Sequence, residues 1–179
     1  MRRCISLRLE KTETMSFNIR RGDVKDVPGI FKLIKELAEF ERAPEAVINT
    51  EKILAEDGFG KESIYKVFVA EDVTTGEIIG MALYYTAYST WKGKMIYLDD
   101  LVVTERCRKA GIGRKLLNKF LKEAQTLGVN LVKWQVLEWN EPAINMYKKT
   151  GVDFDAEWID CKMTKEQIAA YLGTLQAYA

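Results

Sequence analysis

The chain has 179 residues, of which 27 are Lys or Arg, 26 are Asp or Glu and none is His, so its formal net charge is +1 at pH 7. Hydrophobic residues make up 47% and charged residues 30%, which is typical of a globular protein with a sizeable core. This balance gives no reason to expect a nucleic-acid or membrane partner, and no apolar run approaches the length of a membrane span. Without histidine, catalysis by a Ser–His or Cys–His pair is excluded, and we expect no metal site.

Two further features bear on location and organisation. Cys4, Cys107 and Cys161 are odd in number and fit no metal-ligand spacing, so we expect free thiols in a reducing cytoplasm. Residues 1–14 are charged and aperiodic, without the apolar segment of a secretory signal. We therefore expect a disordered N-terminal extension at 1–14, followed by a single domain at 15–179.

Hydrophobic periodicity predicts a mixture of strands and helices along the chain. The predicted elements, in chain order, are a strand at 17–21, a helix at 27–38 after an N-cap at Asp23, a helix at 51–56 capped by Thr50, a hairpin of strands at 65–73 and 77–88, a strand at 94–103, a helix at 112–127, a strand at 130–137, a short helix capped by Asn140 and ending before Gly151, a strand or strand pair at 152–163, and a helix at 164–172. Because the strands at 94–103 and 130–137 are joined through a helix, we expect them to be parallel neighbours.

The turn after the strand at 94–103 carries the clearest chemical signal. Gly111 and Gly113 let the backbone turn tightly at a helix start, where bare N–H groups and the helix dipole favour an anion such as a pyrophosphate. The pattern of a nucleotide P-loop is missing, and Leu116 stands where a dinucleotide fingerprint needs its third glycine. The remaining pattern, Arg-x-x-Gly-x-Gly at 108–113, is that of the acetyl-CoA loop of GNAT acyltransferases. A glycine-eased turn with a solvated basic face would give the same pattern.

Five segments occur in the chain at 35–41, 56–60, 89–94, 97–100 and 138–148. In sequence and order they resemble the diamine (spermidine/spermine) N-acetyltransferase family of the GNAT superfamily, especially its thialysine-acetylating branch. The resemblance implies an α/β (α+β) GNAT fold, with a mixed, mostly antiparallel sheet, a splayed parallel strand pair and flanking helices. It also implies acetyl-CoA as donor, a small-molecule primary amine as acceptor, direct attack in a ternary complex, and a homodimer whose active site uses residues of both chains.

The resemblance assigns two catalytic residues. Asp99 lies where relatives carry a glutamate that holds the substrate cation and relays its proton through water. The shorter aspartate implies a longer water bridge, and the alternative is that Asp99 and Asp100 form a polar strand end. Tyr147 matches the tyrosine that protonates the departing CoA thiolate, although its spacing from Ala143 and Ile144 is equally typical of a core tyrosine.

The resemblance also assigns binding contacts. For the acceptor amine it indicates Phe40 and Glu41 together with Asp99, and Glu157 as a weaker candidate. For acetyl-CoA it indicates Leu101, Val102, Val103, Arg108, Lys109, Ala110, Gly111, Ile112, Gly113, Arg114, Asn140, Pro142 and Ala143. Where polyamine-acetylating relatives carry acids and aromatics after the glutamate, this chain has Arg42, whose charge disfavours a long polycation. Acetylation of a protein lysine or N-terminus, and CoA binding without catalysis, remain as alternatives.

Overall fold

The computed structural model describes residues 15–176, so the extension expected at 1–14 lies outside the described residues. The chain divides into two compact units between Gln135 and Val136, and the expectation of a single domain at 15–179 stays a prediction. No helix of the described part is long and apolar enough to cross a bilayer. The elements are β1 (Phe17–Arg21), α1 (Val27–Phe40), α2 (Glu51–Phe59), β2 (Lys66–Asp72), β3 (Ile78–Ser89), β4 (Gly93–Val103), α3 (Ile112–Thr126), β5 (Leu131–Lys133), α4 (Glu141–Lys148) and α5 (Lys165–Gln176).

The first unit is built on one mixed sheet with strand order β1-β2-β3-β4-β5. The first four strands pair antiparallel, which confirms the predicted hairpin of β2 and β3. β4 and β5 pair in parallel, as predicted for two strands connected through a helix. This contact is short, because only Met95–Tyr97 and Leu131–Lys133 are paired.

Both faces of the sheet are covered. α1 and α2 bury Ile30, Leu33 and Leu54 against Met81 and Val102 on one face. On the opposite face, the Tyr84 ring stacks on Phe68 at 5.7 Å between centroids and contacts the edge of Phe120 from α3 at 5.5 Å. The continuous apolar runs of β2 and β3 follow from this burial on both sides.

One extra residue interrupts the pairing of β3 with β4. Leu83 lies opposite Asp100 and Tyr84 lies opposite Leu98, so Asp99 has no partner residue and forms a β-bulge. A bulge bends its strand and increases the local twist. β5 ends at Lys133, where the sequence predicted a strand over 130–137, and its pairing with β4 stops at Tyr97, two residues before the bulge.

α2 extends further than predicted. The sequence placed its end at Glu56 because Gly58 and Gly60 follow, yet the helix continues to Phe59 and ends at Gly60. Gly58 lies inside the helix, and the Tyr65 ring packs against it in the space that a side chain would need. A Cβ added at Gly58 would lie 2.2 Å from the Tyr65 Cζ, so only glycine fits here. The Tyr65 hydroxyl then donates to the Leu54 carbonyl at 2.6 Å. Tertiary packing therefore outweighs the low helix propensity of glycine.

The strand or strand pair predicted at 152–163 is wrong. This segment is irregular and exposed, and none of the described strands pairs with it. Its alternating apolar residues include Phe154 and Trp158, which are largely exposed. Alternation describes a strand only where a neighbouring edge supplies backbone hydrogen bonds, and this segment has no such neighbour. The helix predicted at 164–172 is confirmed as α5, which continues to Gln176.

Candidate active site

The turn between β4 and α3 presents a row of backbone donors. Lys109 (φ 68°) and Gly111 (φ 82°) adopt left-handed conformations, and α3 begins at the next residue. Within the described chain, the N–H groups of 109–114 donate to no other protein group. A Cβ added at Gly111 would meet no atom within 4 Å, so open space lies beside these donors. Turns of this kind, followed by a helix N-terminus, bind anions, and the loop therefore fits the pyrophosphate of CoA.

Arg108 connects this loop to the end of α1. Its Nε donates to the carbonyl oxygen of Val103 at 3.1 Å, and its guanidinium lies 5.0 Å from the centroid of the Phe40 ring. A cavity of about 690 Å³ opens at this contact. Its lining residues are Glu36, Glu39, Phe40, Thr104, Glu105, Arg106 and Arg108. The structure thus brings together Phe40, predicted to face the acceptor, and Arg108, predicted to face the cofactor.

Among the strands of the described residues, none pairs with the outer edge of β4 beyond the end of β5. β5 pairs with β4 only as far as Tyr97, whereas β4 continues to Val103. The N–H of Thr104 donates to Ile79 in β3 at 3.0 Å. Because successive residues of a strand direct their N–H groups to opposite edges, those of Leu101 and Val103 point away from β3. They are therefore available to an acyl or amide carbonyl in the gap between the splayed strands.

Three carboxylates come within electrostatic range of one another at the bulge. Glu41 directly follows α1, and Asp99 and Asp100 lie in β4; together we call them the acidic patch. Burial, followed by the charges of Asp99 and Glu41, raises the pKa of Asp100 to about 7. Asp99 is exposed as a residue, and the partial loss of water around its carboxylate raises its pKa as well. Burial and the charge of Asp99 raise the pKa of the nearby Tyr85 phenol.

Among the described residues, no positive charge contributes to the pKa shifts of Asp99 and Asp100. The ion pairs found within residues 15–176 join other acids, such as Asp26 with Arg20 and Glu123 with Arg21. The rings of Tyr85 on β3 and Tyr97 on β4 stack on each other, with their centroids 5.4 Å apart. In the described residues, no three His, Cys, Asp or Glu side chains are grouped so as to hold a metal ion. An alkylammonium fits this arrangement better, because its three N–H donors and its charge can be shared among separated carboxylates and aromatic rings.

The second unit carries the predicted acid, Tyr147. Asn140 caps α4 by accepting a hydrogen bond from the N–H of Ala143 at 3.3 Å, and Pro142 lies in the first turn, as predicted. Tyr147 is buried, and burial raises the pKa of its phenol to about 12. The phenol therefore remains protonated at neutral pH. A general acid must be protonated, but a tyrosine that only packs in the core is protonated as well. Glu157 is exposed in the irregular segment at 152–163.

Sequence reasoning assigned Asp99 and gave no role to Asp100. Two adjacent acids after an apolar strand were the available signal, and strict alternation would place their side chains on opposite faces. The sequence gives no sign of the bulge. It therefore could not show that Asp100 points towards the sheet face that carries α1, Leu83 and Val102. The left-handed conformation of Lys109 was also missed, because lysine gives no signal for a positive φ.

The chain is similar in sequence to known acetyltransferases and in fold to a solved structure. A thialysine N-epsilon-acetyltransferase of Bos taurus is 40% identical over 139 residues, which cover 74% of this chain and 82% of the relative. The protein of the same name from Mus musculus is 35% identical over 167 residues, covering 88% of this chain and 98% of the relative. An integron cassette protein from the mobile metagenome of V. cholerae shares the fold, with a TM-score of 0.71 over 88% of this chain and 98% of its own, at 23% identity.

The family model for the GNAT acetyltransferases matches residues 30–152. It confirms the fold expected from the sequence, with its mixed sheet and splayed parallel strand pair. The match and the two relatives together show that the chain belongs to the GNAT acetyltransferase family, whose members use acetyl-CoA.

Proposed function

We propose that this acetyltransferase transfers the acetyl group of acetyl-CoA to a primary amine of a small molecule, such as thialysine or a short diamine. The observation that carries this proposal is the acidic patch, in which Asp99 and Asp100 are shifted only by burial and by neighbouring negative charges. An amine substrate supplies the missing positive charge. The relatives named thialysine N-epsilon-acetyltransferase support a substrate that carries an aminoalkyl tail.

In this proposal, different residues bind acetyl-CoA and the acceptor amine. The N–H groups of 109–114 would hold the pyrophosphate of acetyl-CoA, and those of Leu101 and Val103 would bind carbonyl oxygens of its acetyl and pantetheine parts. Acetyl-CoA supplies the activated acyl group as a thioester. Phe40, Glu41 and Asp99 would bind the acceptor amine, with Glu157 as a further candidate. Asn140, Pro142 and Ala143 are proposed as additional cofactor contacts on the resemblance at the start of α4.

Proton transfers complete the proposed reaction. An alkylammonium has a pKa of about 10.4 and cannot attack until it loses a proton, which the acidic patch accepts. The neutral amine forms a C–N bond with the carbonyl carbon and then loses a second proton, while the C–S bond breaks and the thiolate takes a proton from Tyr147. The phenol is replenished from solvent, so one proton is released for each amide formed. The Tyr147 phenol, whose pKa burial raises to about 12, is protonated when the thiolate forms.

A substrate panel tests the proposed function. Arg42 follows Glu41 at the acceptor side, so we expect like-charge repulsion to make spermine a poorer substrate than thialysine or a short diamine. The measurement is kcat/KM with acetyl-CoA for diamines, polyamines, thialysine, lysine and peptides. A higher kcat/KM for spermine than for every small amine would contradict the role of Arg42. Turnover of peptides alone would favour the protein acetyltransferase, and the absence of any turnover would favour a CoA-binding module.

A second prediction concerns the loop at 109–114. Gly111→Asp places a β-carbon and a negative charge at a left-handed position beside the donors, so we expect CoA affinity to fall more than about tenfold. Gly128→Asp is the matched control, because Gly128 also has a positive φ (61°) and open space but lies at the other end of α3. Isothermal titration calorimetry with CoA makes the comparison. Equal affinities of the two folded variants would refute this loop as the pyrophosphate site.

A third prediction concerns Tyr147. Tyr147→Phe keeps the ring and removes the proton, so we expect kcat to fall by about 10²–10⁴ while acetyl-CoA affinity and folding change little. Tyr65→Phe removes another buried phenol, which donates to the Leu54 carbonyl, and controls for the loss of a buried hydroxyl. Stopped-flow and steady-state kinetics establish that chemistry limits the rate. If Tyr147→Phe retains normal kcat under those conditions, Tyr147 is only a core residue.

We also propose that the chain forms a homodimer, which the family resemblance implies and the exposed apolar side chains of the second unit support. Trp158 is 72% exposed and Ile159 is 88% exposed. Side chains of this kind are typical of a surface covered by a partner.

Light scattering at micromolar concentration should give about twice the monomer mass of 20.5 kDa. Ile159→Glu should shift the mass towards the monomer, whereas Ile48→Glu, at a 90% exposed position of the first unit, should not. A monomeric wild-type chain with full activity would refute the dimer.

We further propose a cytoplasmic location, supported by the free thiols of Cys107 and Cys161; recovery of the protein in a secreted fraction would contradict it.

A further inference from the structure

We infer that Asp100, rather than Asp99, accepts the proton of the substrate ammonium, while Asp99 and Glu41 attract the cation. This inference rests on the proposed amine acetylation and names the base of the same site. It moves the base one residue along β4 from the position that the family resemblance indicates.

The bulge determines which way Asp100 points. Asp100 lies opposite Leu83, and cross-strand partners project from the same face of a sheet. Leu83 and Val102 both belong to the core on the α1 face, so Asp100 also projects towards α1. That direction leads to Glu41, which follows the last residue of α1 and whose charge acts on the Asp100 carboxylate. Asp100 is therefore directed towards the acceptor side of the sheet and away from the α3 face.

Burial and charge distinguish the two adjacent aspartates. Asp99 is exposed, and only partial burial raises its pKa, whereas Asp100 is partly buried and is shifted further by Asp99 and Glu41. Other ionisable groups on the neighbouring elements include the phenols of Tyr85 on β3 and Tyr97 on β4, Glu36 and Glu39 on α1, and Arg42 next to Glu41. The charges that shift the Asp100 carboxyl are both negative, so its proton affinity is raised.

The raised proton affinity matters for the chemistry. Transfer of a proton from an alkylammonium of pKa about 10.4 to an ordinary aspartate of pKa about 3.9 is unfavourable by about 6 to 7 pKa units. A carboxylate with a pKa of about 7 reduces that gap to about 3 to 4 units, so a neutral amine is formed about 10³ times more often.

The step is balanced: the ammonium N–H bond breaks, Asp100 becomes a neutral carboxylic acid, and the amine lone pair becomes available for attack. Proton transfer also removes one of three like charges from the acidic patch. Asp100 then returns its proton to solvent before the next turnover.

A pH profile with thialysine and acetyl-CoA separates the two aspartates. The wild-type kcat/KM should fall with slope one below a pKa of about 7. Asp100→Asn should lower kcat by about 10²–10⁴ and abolish this inflection, leaving a rate that rises steadily with pH as free amine forms in solution. Asp99→Asn, the matched neighbour, should retain the inflection but shift it to lower pH, because one negative charge beside Asp100 is lost, and should raise KM more than it lowers kcat.

The opposite assignment gives a different result. If Asp99→Asn abolishes the inflection and Asp100→Asn retains it, the base is Asp99 and the inference is overturned. If both variants keep the wild-type profile, the acidic patch supplies no base. If wild-type protein turns over no amine at all, the proposed function fails, and this outcome is distinguished by a measurement that needs no turnover.

That measurement is the titration of the Asp100 carboxyl carbon by NMR in the resting protein. A pKa near 7, which moves downwards in Asp99→Asn, supports the arrangement whatever the activity; a pKa near 3.8 overturns it. Stability gives a second readout. Because the folded-state pKa lies above the unfolded value, ionised Asp100 destabilises the fold, and this loss grows as pH rises from about 4 to about 7. Asp100→Asn should therefore raise Tm relative to wild type at pH 8, with little difference at pH 4.

Discussion

The candidate site depends on one extra residue in the pairing of β3 with β4. Asp99 has no partner residue in β3, and this bulge bends β4 just beyond its short parallel contact with β5. Among the described strands, none pairs with β4 at Leu101 and Val103 on the edge away from β3. The same bulge directs Asp100 towards the α1 face, where it meets the charge of Glu41. The bulge therefore lies next to both the end of the β4–β5 pairing and the carboxyl group that interacts with the charge of Glu41.

The first unit carries two features of opposite electrostatic character, the N–H donors of the loop at 109–114 and the carboxylates of the acidic patch. The N–H groups of 109–114 donate to no other group of the described chain, and the Asp99 and Asp100 carboxyls are shifted only by burial and by negative charges. Ionised Asp100 is costly in the free protein because it is partly buried beside negative charges, whereas the loop lies at a largely exposed turn. Arg108 lies between them, with its guanidinium on the Phe40 ring and its Nε bonded to Val103. The buried side chains on both faces of the sheet stabilise the fold against these local costs.

The missing histidine restricts how a proton can move in this protein. Carboxylates and phenols ordinarily titrate well below or well above neutral pH. Burial shifts Asp100 upwards to about 7, which places a carboxyl group in the range that histidine usually serves. Burial also keeps the Tyr147 phenol protonated. The same physical effect, loss of water around a side chain, raises the pKa of both groups, so it favours Asp100 as a proton acceptor and makes the Tyr147 phenol a weaker acid than an exposed tyrosine.

The sequence by itself determined the order of elements, the hairpin of β2 and β3, the parallel pairing of β4 with β5, the cap of α4 at Asn140, and the family. These features depend on local periodicity, on capping residues and on motifs that occur in a fixed order, so they can be read from neighbouring residues. The end of α2, the length of β5, the absence of a strand at 152–163 and the orientation of Asp100 were decided only by the tertiary structure. Each of them depends on a residue or strand that is distant in sequence. The end of α2 depends on the Tyr65 ring against Gly58, and the length of β5 depends on its pairing with β4. A strand at 152–163 would need an available sheet edge, and the orientation of Asp100 depends on the register of β3 opposite the bulge.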